Sequence, residues 1–239
     1  KQYWDILAGV FKPDVAWASF GNLDSWEIAK EVAEKAGCPL VLDIRSKFIP
    51  LWKILAWRYR KTKFITVNAI EETEYFPFYL HKEFTPIYSG FWEKELREDL
   101  PELPDNELRI NFIGFYISEY MEIFLQTLSQ WAGSQKNTRR KVCLSYAGNR
   151  HENFYSRAFF YMGSEAQVKV FNYLPVEKLL QLCRESHVNA YIKSPATPIH
   201  HKSIELLSCG RPILVFPRET DEVIEIVRRV GGEMFLCKD

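Results

Sequence analysis

The sequence predicts an α/β protein built from two Rossmann-like, doubly wound domains. Three observations lead there. Short apolar runs alternate with longer amphipathic segments along nearly all of the 239 residues. One charged, proline-bearing stretch interrupts that alternation. The chain is also 47% hydrophobic, enough to bury parallel sheets on both faces.

In chain order, the first part reads as a helix over 3–11, a strand over 14–19, a helix over 25–36 and a strand over 39–44. A basic helix over 49–60, a strand over 64–67, a helix over 71–80 and a strand over 85–88 follow. These make up residues 1–92, a partial acceptor-side domain. The sequence opens at Lys1 on a helix-like segment, which carries the expectation that an amino-terminal piece of this domain is missing. The stretch WEKELREDLPELPDNEL has Pro101 and Pro104 and little to bury, so 93–108 is expected to be a linker.

From 109 to 239 the alternation is cleaner. Strands are expected over 110–115, 142–146, 168–171, 190–192, 213–216 and 234–236, with helices over 119–131, 153–162, 176–184, 202–208 and 222–230. About six strands and five helices make a doubly wound sheet, whose ligand crevice lies beyond the carboxyl ends of the strands.

Composition narrows the function. Lys plus Arg and Asp plus Glu both number 31, so the chain lacks the broad positive field of a nucleic-acid binder and any polyanion site must be local. The five cysteines are far apart, without a Cys-x-x-Cys pair, and most fall in apolar runs, as reduced core cysteines of a cytoplasmic protein do. No stretch reaches the roughly 18 apolar residues of a membrane span.

The segment SPATPIHHKSIELLSCGRPILVFP, from Ser194 to Pro217, is the most informative. Pro198 suits the first turn of a helix, whose free N–H groups favour an anion such as a diphosphate. Lys202 adds a cation there, and Glu205, three residues on, lies on the same side, where a carboxylate can accept both hydroxyls of a ribose. The alternative is an exposed Lys202–Glu205 ion pair with no ligand. Gly210 then turns the chain back into the sheet.

This segment resembles the donor domains of the group 1 (family 4-like) glycosyltransferases of the GT-B fold, which carry a Lys-x-x-Glu helix and a Gly-x-Pro turn. The matching residues are Lys202, Glu205, Gly210 and Pro212. RINFIGFY resembles the opening strand, VKVFNYLPVEKLLQLCRES the central unit and TDEVIEIVRRVGGEMFLCKD the closing unit of the same domain. The resemblance implies that Glu205 binds the donor ribose and that the loop over Asn172, Tyr173 and Leu174 to Pro175 binds the base. It names Lys202 and Glu205 as catalytic. Gly114, Tyr116, Arg150, Pro198, His200, His201 and Ser203 are further candidate donor contacts, with the two histidines alternatively capping a helix or meeting solvent.

Two departures stand out. Thr197 occupies the position of a second Glu in many members, and GFYISEYMEI lacks the Arg and Lys that follow their first donor-domain strand. Lys202, the helix start and Arg150 are the remaining phosphate candidates. The resemblance implies sugar transfer in polysaccharide biosynthesis from a nucleotide sugar, a UDP-sugar favoured, to a glycan or lipid-linked acceptor. Retention of configuration without a metal or other cofactor is implied too. A GT-B nucleotide-sugar epimerase and a non-catalytic nucleotide-sugar-binding protein are the alternatives.

Three smaller features complete the set. Asp43 and Arg45 end the LVLDIR strand and face the expected cleft between domains, as acceptor-positioning groups or as a salt bridge. His200 and His201 are adjacent and lack the i, i+4 spacing of a helical metal pair. KFIPLWKILAWRYRKTK mixes aromatic and basic residues, which fits either peripheral contact with anionic lipid or a core helix with a solvated cationic end.

Overall fold

The computed structural model describes residues 12–19, 23–44, 57–60, 62, 64–67, 70, 73, 84–88, 90, 99–134, 140–163, 166–194 and 201–237. They fall into two compact units, the first reaching to Ser89 and the second starting at Gly90.

In the first unit, β1 (Ala16–Ser19), β2 (Leu40–Ile44), β3 (Phe64–Val67) and β4 (Phe84–Pro86) form a parallel sheet in sequence order. The helix α1 (Leu23–Ala36) lies between β1 and β2. Ala16 and Ala18 are buried while Trp17 is exposed, the period of two expected of a strand covered on one face. Trp26 of α1 packs with Leu42, Ile44, Ile65 and Val67, and its ring meets Tyr59 edge-on at 5.2 Å. Glu27, on the same helix, accepts hydrogen bonds from Arg58 and Tyr59, and the Arg58 guanidinium holds its carboxyl down at about 2. Of the helix expected over 49–60 only 57–60 are described. The helices expected over 3–11 and 71–80 lie outside the described residues.

The second unit has six parallel strands in the order β10-β9-β8-β5-β6-β7. They are β5 (Glu107–Gly114), β6 (Lys141–Gly148), β7 (Ala166–Phe171), β8 (Val188–Ile192), β9 (Ile213–Phe216) and β10 (Met234–Leu236). The helices are α2 (Ser118–Ser134), α3 (His151–Met162), α4 (Val176–Arg184), α5 (His201–Leu207) and α6 (Asp221–Arg229). The chain steps outward through β6 and β7, then returns to place β8 on the other side of β5. This is the doubly wound order, with its switch point between β5 and β8.

Alternation along β5 builds both layers. Phe112 joins Met121, Leu125, Leu144 and Phe154 under α2 and α3, whereas its neighbour Ile113 joins Tyr191, Leu206, Ile213 and Val215 under α4 and α5. Each such side chain contributes roughly 1.5–3 kcal/mol on burial. Thr220 caps α6 by accepting from the Val223 N–H, with Asp221 and Glu222 in its first turn and Arg228 and Arg229 in its last, matching the helix dipole at both ends.

β5 begins at Glu107, inside the stretch expected to be linker. Its pairing with Lys141 of β6 and the packing of Leu108 against the core extend the strand, which the charged sequence conceals. The residues before it are also tied to this unit: Arg211 donates to the carbonyls of Pro101 at 2.6 Å and Arg184 at 2.9 Å. A side chain at Gly210 would meet Leu100 at 3.3 Å.

Candidate functional site

The carboxyl ends of β5 and β8 define the crevice of the second unit. Ile110, Asn111 and Phe112 pair with Val188, Asn189 and Ala190, so the register carried on by two residues sets Gly114 level with Ile192. Gly114 has φ +110, which favours glycine, and it pairs with Gly148 at the end of β6. A Cβ on Gly148 would stand 2.0 Å from the Gly114 carbonyl oxygen, so the two strand ends close on each other as only glycine allows. Tyr146 locks them: its buried hydroxyl lies 2.7 Å from the Asn149 carbonyl oxygen and 3.0 Å from that of Gly114. Burial raises the Tyr146 pKa, so the hydroxyl stays protonated as a donor. The Asn149 side chain in turn accepts from the Tyr116 N–H at 2.9 Å.

Into this end reaches Lys202 of α5, whose Cε lies 3.9 Å from the place of a side chain on Gly114. Its ammonium donates to Glu205 at 2.7 Å, and Glu205 is an exposed residue, as i, i+3 spacing on a helix surface requires. Ile204 and Leu206 anchor α5 from the opposite side of the helix. Sequence and structure thus bring Gly114, Lys202 and Glu205 together.

Ser203 and Tyr116, both expected donor contacts, turn inward. Ser203 is fully buried and its hydroxyl bonds the Tyr191 oxygen, because helical phase points it at the sheet while Lys202 and Glu205 face out. Tyr116 is buried among the α2 and α3 core residues. The residue between it and Gly114, Phe115, is exposed at the mouth of the switch point, and nothing in its motif context marked it.

Sequence reasoning also missed a buried polar network at this end. Tyr191, near the end of β8, donates to Glu219 at 2.6 Å, and Lys193, just past the strand, pairs with the other oxygen of Glu219 at 3.4 Å. The Thr220 N–H donates to that same oxygen at 3.1 Å. The Glu219 side chain is 0% exposed and that of Lys193 13%. Burial, followed by the Glu219 charge, pushes the Tyr191 hydroxyl well above the usual tyrosine range.

Arg150 is exposed in a left-handed conformation, φ 51, immediately before α3. Asn172 and Tyr173 are exposed in the loop after β7, and Leu174 packs into the core beneath α4. His201 is exposed at the start of α5. Pro198 and His200 lie outside the described residues, as does Arg45. In the first unit Asp43 is buried at the carboxyl end of β2, where it accepts from Ser19 at 2.6 Å and Thr66 at 2.7 Å. These contacts tie three neighbouring strands. Among the described residues no group of three His, Cys, Asp or Glu side chains could hold a metal ion. None of their helices is long and apolar enough to cross a membrane.

No protein-family model matches the chain, and no curated protein does. Solved structures do. The Anabaena protein HepE in complex with UDP-glucose superposes with a TM-score of 0.61 at 14% identity, over 100% of this chain and 68% of that one. A glycosyltransferase from Rickettsia africae gives 0.66 at 12% identity, over 100% and 67%. A structure described as a UDP-N-acetylglucosamine 2-epimerase from Listeria monocytogenes gives 0.58 at 13% identity, over 98% and 65%. The chain therefore spans about two thirds of their length. The likeness is one of fold: a mixed α/β protein with parallel, Rossmann-like sheets of the GT-B type.

Proposed function

We propose that the chain belongs to a glycosyltransferase similar to the group 1 (family 4-like) enzymes, with a nucleotide sugar held by the second unit and a glycan or lipid-linked acceptor by the first. The observation that carries this reading is Lys202 beside Gly114, with Glu205 bonded to its ammonium, near the switch point where doubly wound sheets take their ligands. The fold likeness to HepE, seen with UDP-glucose, supports a UDP-sugar as donor. Sugar transfer leaves negative charge on the departing diphosphate, and a fixed cation at that point lowers the barrier. In this reading Lys202 is the cation and Glu205 accepts the ribose hydroxyls. Retention of configuration, independence of metal, and a cytoplasmic setting complete the proposal.

Titration calorimetry with UDP-, GDP- and ADP-sugars tests it. At least one is expected to bind the wild-type protein, and binding by none would remove the reading. The fold likeness to the Listeria structure favours an epimerase as the second reading. Release of nucleoside diphosphate from the bound donor distinguishes transfer from an epimerised but intact nucleotide sugar.

Contact with a membrane surface belongs to the same proposal. Trp57 is exposed and carries the Arg60 guanidinium 4.9 Å over its ring, next to Arg58. Flotation with anionic liposomes is expected to carry the protein, salt-sensitively; no flotation contradicts this part alone.

A further inference from the structure

The segment after β5, Phe115 to Glu119, holds no Lys or Arg, so a diphosphate at the switch point gets no cation from the strand that ends there. The neighbouring strand offers one. Lys193 follows β8 directly, and its N–H still bonds the Phe216 carbonyl at 2.8 Å, so the residue continues the strand. Alternation puts its side chain on the same sheet face as Tyr191, two residues earlier, which is the face that α5 covers. Lys193 directly follows Ile192, which the register sets level with Gly114, and α5, which carries Lys202, packs its Ser203 against Tyr191 of the same strand.

A lysine in this position needs a reason to stay charged and in place. Glu219 supplies it: fully buried, it holds the ammonium at 3.4 Å and is itself fixed by the Tyr191 hydroxyl and the Thr220 N–H. An ammonium has three N–H donors, and among the described residues Glu219 accounts for one of them. An ion pair that served stability alone would gain little over apolar packing of the same volume.

We propose that Lys193 is a phosphate-contacting residue for the pyrophosphate of a nucleoside diphosphate, and that Glu219 and Tyr191 are its positioning residues. This rests on the donor-site reading above. The buried carboxylate keeps the ammonium charged and aimed, and the two remaining N–H groups meet phosphate oxygens from β8, offsetting the missing cation after β5.

The test compares UDP, GDP and ADP with uridine, guanosine and adenosine by calorimetric displacement, on wild type, Lys193→Met, Lys193→Arg and Lys193→Gln. Lys193→Met is expected to lose fivefold or more in affinity for the diphosphate and less than twofold for its nucleoside, with Lys193→Arg keeping most of both. Lys193→Gln, which can still bond Glu219, is expected to follow Met and stands in for it if Met does not fold. Equal loss for nucleoside and diphosphate, or diphosphate binding unchanged in both Met and Gln variants, overturns the assignment while leaving the donor site intact. Absence of diphosphate binding in the wild type overturns both.

Discussion

Gly148→Ala is expected to lower the stability of the second unit by about 3 kcal/mol or more and to abolish nucleotide binding. The added Cβ would lie 2.0 Å from the Gly114 carbonyl oxygen, 2.9 Å from the Tyr146 hydroxyl and 3.1 Å from the Gly114 carbonyl carbon. Two of the three are backbone atoms of a central strand, so no side-chain rotation relieves the overlap. The ends of β5 and β6 must separate, which breaks the contact between Tyr146 and Gly114 and moves Gly114 away from Lys202. Gly133→Ala is the control: the site lies in α2, has nothing within 4 Å, and alanine there is expected to stabilise by about 0.5–1 kcal/mol. Urea unfolding midpoints with a nucleotide titration of each variant check both. A Gly148→Ala protein as stable as wild type would mean that the two strand ends do not meet this closely.

Much of the second unit was legible because its elements announce themselves locally. α4, β9 and β10 have the expected bounds, since Pro175 fixes one start and short apolar runs bounded by turn residues fix the others. The start of β5 differs from expectation because Glu107 and Leu108 read as the end of a charged linker, and only their pairing with Lys141 and Val142 of β6 makes them strand. At the site, Gly114, Lys202 and Glu205 were visible through spacing within one motif and one turn. Tyr191, Lys193 and Glu219 were not, because their contact joins residues 28 apart in sequence and exists only once β8 and β9 lie side by side. Ser203 was misread for another reason. It follows Lys202 directly, but one step along a helix turns a side chain by about 100°, here from the crevice into the core.

Glu205→Ala carries the second large effect, on affinity. A carboxylate that accepts both hydroxyls of a ribose makes two charge-assisted hydrogen bonds, each worth roughly 1.5–3 kcal/mol, so its loss is expected to weaken nucleotide binding by about a hundredfold or more. Stability should stay within about 0.5 kcal/mol of wild type, because Glu205 is exposed and a surface pair with Lys202 contributes little. The two quantities separate the accounts: an ion pair with no ligand changes neither, and a structural carboxylate changes stability. The decisive measurement is the dissociation constant of the best-binding nucleoside diphosphate for wild type and Glu205→Ala under identical salt. A rise of about a hundredfold or more with an unchanged unfolding midpoint is the predicted result; equal constants for the two proteins would contradict a ribose held by Glu205.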